Sequence, residues 1–73
     1  MTTPNLPIAV RDLEDATRRE RDARARLEGV DDRLRTGVAD RAEFRTAYEV
    51  WLDADAERRQ AERNVVRAHA GGA

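Results

Sequence analysis

The sequence predicts an all-α protein: an antiparallel two-helix hairpin, coiled-coil-like, that completes a four-helix bundle by dimerising or by docking on a partner. Three observations carry this reading. Apolar residues recur at spacings of three and four along two long stretches, and a short segment with turn chemistry separates them. Charged residues make up 40% of the chain and aromatics 4%, a balance that suits long helices with solvated outer faces.

Residues 1–6 have no periodicity and carry two Thr, Pro4 and Asn5, so a flexible tail is expected there. Pro7 suits a first helical turn, where its missing N–H has no intrahelical partner in any case, and a helix is expected over about 7–35. Within it Ala9, Leu13, Ala16, Glu20, Ala23, Leu27, Val30 and Leu34 stand alternately four and three residues apart. This is a heptad seam with one polar member, Glu20. Acidic residues precede Arg by four places at Glu14/Arg18, Asp15/Arg19, Glu20/Arg24, Asp22/Arg26 and Asp31/Arg35, an orientation worth about 0.2–0.5 kcal/mol per exposed pair. Gly29 is the weak point of the helix, costing about 1 kcal/mol relative to Ala.

The turn is expected over 36–39. Gly37 can take the left-handed conformation that closes a helix C-terminus. Asp40 can then cap the next helix by accepting a backbone hydrogen bond, and Glu43 completes an arrangement like a capping box. The second helix is expected over about 40–69. Its seam, Phe44, Ala47, Trp51, Ala54, Arg58, Ala61, Val65 and Ala68, again has one polar member, Arg58. Acids dominate its first half and Arg its second, which complements the helix dipole. Gly71-Gly72 is expected to end it, leaving residues 70–73 as a second flexible tail.

A connection of four residues makes the helices antiparallel. Facing residues then have numbers that sum to 77 or 78. Leu34 meets Phe44, Val30 meets Ala47 and Tyr48, Leu27 meets Trp51, Ala23 meets Ala54, Ala16 meets Ala61, Leu13 meets Val65 and Ala9 meets Ala68. The one polar residue of each seam faces the other, so Glu20 and Arg58 are expected to form a register-setting ion pair.

A chain of 73 residues buries only about 60% of its unfolded surface, too little for a deep enzyme pocket. Cys is absent, which removes disulfides, thiolate metal sites and a thiol nucleophile. Thr17 and Thr46 have no base beside them, and His69 has no second His to share a metal, so it is read as a C-terminal helix residue favourable to the dipole. No catalytic, cofactor-binding or metal-binding residue is expected, and the chain is read as non-enzymatic. No window is apolar enough to span a membrane, and the opening Met1–Pro7 lacks the apolar run of a secretory signal, so a cytoplasmic location is expected. All 14 basic residues are Arg, the signature of a GC-rich coding sequence, for which an actinobacterial or phage source is expected.

A two-helix pair covers each large seam residue on one side only, and more apolar residues lie off the seam. Tyr48, Leu52 and Val66, with Arg59 between them, form a candidate protein-docking stripe for a second copy or for another protein's helix. The expected role is a protein–protein interaction or assembly module, an accessory protein whose partner is itself, as a homodimer, or another protein. The alternative is a small nucleic-acid-associated factor using Arg18, Arg19, Arg21, Arg24 and Arg26. Against it, the net charge is −1, no aromatic interleaves with these Arg, and several have acidic neighbours four residues earlier.

Overall fold

Two long helices account for nearly all of the computed structural model, which describes residues 5–71. Helix α1 spans Leu6–Arg35 and helix α2 spans Arg41–Gly71; they pack against each other as a hairpin. The result is a rod of 54 × 18 × 12 Å. Helix α1 begins one residue earlier than expected. Asn5 stands at its N-cap in extended conformation and its carbonyl accepts from Ala9 N–H at 2.8 Å, while its side chain makes no cap. Helix α2 runs on through Ala70 and Gly71, which were expected to lie in the tail. Residues 1–4 and 72–73 of the expected tails lie outside the described residues.

The turn is built from hydrogen bonds that close one helix and open the next. Gly37 takes φ +78°. That places Val38 N–H on the Arg33 carbonyl at 2.8 Å and Gly37 N–H on the Leu34 carbonyl at 3.1 Å, the paired closure of a Schellman motif. The Thr36 hydroxyl donates to the same Arg33 carbonyl at 3.1 Å. Asp40 Oδ1 then accepts Glu43 N–H at 2.9 Å, capping α2. The reciprocal half of the capping box does not form, because the Glu43 carboxylate lies instead 3.9 Å from Arg33 across the turn.

The buried residues identify the line of contact. On α1 they include Ala9, Ala16, Ala23 and Val30, and on α2 Ala47, Ala54, Ala61 and Ala68, each set spaced by seven. Facing members sum to 77, so the antiparallel register follows from alanines meeting alanines. Small side chains on both sides let the backbones approach closely, with Val30 as the one larger member of the line, beside the turn. Near the turn Ala39 tucks in, 7% exposed, and Leu27 and Phe44 pack against the cluster of Val30, Ala39 and Ala47.

Surface ion pairs follow the expected spacing only in part. Glu20–Arg24 and Asp31–Arg35 form at 3.3 and 2.9 Å. Asp15 takes Arg18 at 3.8 Å, and Arg19 crosses to Glu57 of α2 at 3.8 Å. The Asp15–Arg18 and Arg19–Glu57 pairs are exposed, and each is worth at most about 1 kcal/mol.

Candidate functional site

The second position of each heptad seam forms a face of its own. From the alanine line, Leu13, Glu20, Leu27 and Leu34 lie four residues further along α1, and Phe44, Trp51, Arg58 and Val65 lie three residues back along α2. These steps rotate a side chain by roughly 40–60° around its helix. Because the helices run in opposite directions, both rotations lead to the same side of the hairpin. All of these residues are half-buried except Glu20, which is buried. The large apolar side chains therefore line one broad open face, while alanines occupy the contact between the helices. The reverse edge of the hairpin is largely polar, carrying the crossings Arg19–Glu57 and Arg33–Glu43 beside one exposed apolar residue, Val50.

The aromatic end of this face lies near the turn. Tyr48 stacks on Phe44 with ring centroids 6.2 Å apart and reaches Trp51 at 5.9 Å. These are separations at which aromatic pairs attract beyond simple area burial. Tyr48 is 42% exposed and extends the face outward.

The middle of the face is polar. Glu20, 6% exposed, accepts the indole N–H of Trp51 at 3.2 Å and pairs with Arg24 at 3.3 Å. Arg58 does not close on Glu20, which corrects the expected register-setting pair. Its guanidinium is held by Asp55 at 3.0 Å and by Glu62, both on α2. The reason is local geometry: Asp55 and Glu62 stand three and four residues from Arg58 on the same helical surface, so they reach it without crossing the hairpin. The Asp55 hydrogen bond raises the Arg58 pKa above its ordinary value. Partial desolvation opposes this, and attraction to Glu62, to Asp55 and, least, to Glu20 adds to the rise. Asp55 also holds Arg59 at 3.1 Å.

The residues singled out in the sequence for docking are divided by the fold. Tyr48 joins Phe44 and Trp51 on the open face. Leu52, Arg59 and Val66 lie seven residues apart from one another and follow the alanine line by five, which carries them to the outer side of α2. Leu52 and Val66 are 42% and 69% exposed there, and Arg59 is engaged by Asp55. Sequence reasoning placed Leu13, Leu27, Leu34, Phe44, Trp51 and Val65 inside the hairpin and so passed over the face they form. The signal was present in the alternation of Ala with larger residues along each seam.

Of the Arg run, Arg18, Arg19 and Arg24 are matched with Asp15, Glu57 and Glu20. Arg21 and Arg26 are exposed. The helical step points the five in several directions around α1, so they do not form one stripe. Among the described residues no group of three or more His, Cys, Asp or Glu is placed to hold a metal ion, and no helix is long and apolar enough to cross a membrane.

The geometry thus defines a class: an antiparallel helical hairpin with an alanine contact line and an open face of large side chains. No family model, no curated protein and no solved structure matches the chain.

Proposed function

We propose that this chain is a non-enzymatic protein–protein interaction or assembly module that acts through the open face. One observation carries the reading: the large apolar residues of both seams, Val30 apart, are turned to one side and left half-covered, while seven alanines and Val30 fill the contact between the helices. Large side chains offer the most apolar area for association, at about 25 cal/mol per Å² removed from water, and aromatic residues are favoured anchors at interfaces. A cytoplasmic accessory role, in an actinobacterium or a phage, fits this reading.

The test compares the full chain with Leu27→Lys, which places a charge in the face. Native mass measurement follows association with itself, and quantitative affinity capture from host extract follows association with another protein. The expected result is an association, of either kind, that Leu27→Lys abolishes and Arg21→Ala leaves intact. Association that does not distinguish wild type from Leu27→Lys overturns the reading. Binding to DNA or RNA with a steep salt dependence that Arg21→Ala weakens would favour the nucleic-acid alternative instead.

A further inference from the structure

We infer that the occupant of the open face is a second copy of this chain, seated with both turns at the same end and with Glu20 of each copy facing Arg58 of the other. The inference rests on the assembly reading above and specifies its partner and geometry.

The first argument is area. A folded monomer of 8.3 kDa has about 4,600 Å² of accessible surface by the size law, and this chain exposes 5743 Å². Much of this excess follows from the elongated shape, a rod of 54 × 18 × 12 Å, and the open face is the part of that surface where large apolar side chains are left half-covered.

The second argument is charge complementarity. On the open face every ion pair stays within one helix: Glu20–Arg24 on α1, and Asp55–Arg58, Asp55–Arg59 and Arg58–Glu62 on α2. Two symmetric ways exist to lay this face on a copy of itself with all neighbouring helices antiparallel. A two-fold axis across the rod sets α1 on α1 of the copy. Glu20 lies at the midpoint of α1, so that arrangement brings Glu20 against Glu20 and Arg58 beside Arg58, a like-charge juxtaposition that interfaces avoid. A two-fold axis along the rod sets α1 of one copy on α2 of the other at equal height. Glu20 then faces Arg58, and Arg24 comes level with Asp55. The same operation stacks Leu34 on Phe44, Leu27 on Trp51 and Leu13 on Val65. Every layer meets its own kind, and the acidic and basic members alternate around the polar layer.

The chain has no Cys, so Val38→Cys, at a turn residue that is 72% exposed, introduces a single attachment point for a nitroxide label. In the inferred dimer, with helices about 8–10 Å apart, the two labels lie within roughly 30 Å of each other. An axis across the rod separates them by nearly its full 54 Å. Charge exchange supplies a second readout. Glu20→Arg alone and Arg58→Glu alone each weaken the dimer about thirtyfold or more, and an equimolar mixture of the two restores a one-to-one heterodimer by native mass. A monomeric wild-type chain at high micromolar concentration overturns the inference, as does a label distance near 50 Å. The assembly reading falls separately, only if Leu27→Lys also removes no association with another protein.

Discussion

Trp51 on α2 donates its indole N–H to the buried carboxylate of Glu20 on α1, at 3.2 Å. In the antiparallel register Trp51 stands level with Leu27, one heptad from Glu20, about 10 Å along the helix axis. The hydrogen bond therefore crosses obliquely from α2 to α1 and ties two successive layers of the open face together. Removing the carboxylate leaves a partly buried N–H unpaired, so Glu20→Ala is expected to destabilise the hairpin by about 1–3 kcal/mol. Combined with Trp51→Phe in a double-mutant cycle, the two changes are expected to be non-additive by about 0.5–1.5 kcal/mol. Chemical denaturation monitored by far-ultraviolet circular dichroism measures both, and strict additivity would refute the contact.

Gly29 lies in the interior of α1, exposed, and a Cβ added there meets nothing within 4 Å. Gly29→Ala gains helix propensity at no steric cost and is expected to stabilise the chain by about 0.5–1 kcal/mol. A raised denaturation midpoint at unchanged slope is the confirming measurement.

At Gly37 the same substitution has the opposite sign. The residue sits at φ +78°, where a Cβ crowds the following carbonyl, and Gly37→Ala is expected to cost about 1–2 kcal/mol although the space around it is open. The opposite responses of two glycines in one chain separate backbone strain from packing. A stabilised Gly37→Ala variant would show that the turn does not hold this conformation.

The Asp40 cap is single-sided, since its side chain accepts Glu43 N–H while Glu43 turns toward Arg33. Asp40→Ala is expected to lose about 1 kcal/mol. Glu43→Gln is expected to change stability by less than about 0.5 kcal/mol, because it surrenders only an exposed ion pair. Thermal unfolding of the two variants side by side distinguishes a cap from a full capping box, in which both losses would be comparable.

The alanine line makes its own prediction about size. Ala16→Leu forces a larger side chain into a contact where Ala16 is 2% exposed, and overpacking of this kind costs about 1–3 kcal/mol. The chain with Ala16→Leu is expected to melt earlier than wild type. A higher melting temperature would mean that the helices are not held at close approach there.

Much of the fold was legible because helix periodicity and turn chemistry are local. The three-and-four rhythm marked both helices, and Gly37 and Asp40 marked the reversal. Local signals also misjudged the edges: Leu6, Ala70 and Gly71 continue the helices although their composition suggests tails. The candidate site was less legible. A heptad pattern shows which residues lie near the seam. It does not show which of its two positions points at the neighbouring helix and which points past it.

The sequence by itself determined two helices, an antiparallel hairpin and a register, because each rests on spacing along the chain. Only the tertiary structure decided that alanines take the contact line, that the large side chains share an open face, and that Glu20 answers Trp51 and Arg24 while Arg58 answers Asp55 and Glu62. The reason is geometric. Partners three or four residues away on one helix are reached without crossing the hairpin, and the distance between the two helices is set by the smallest residues that meet.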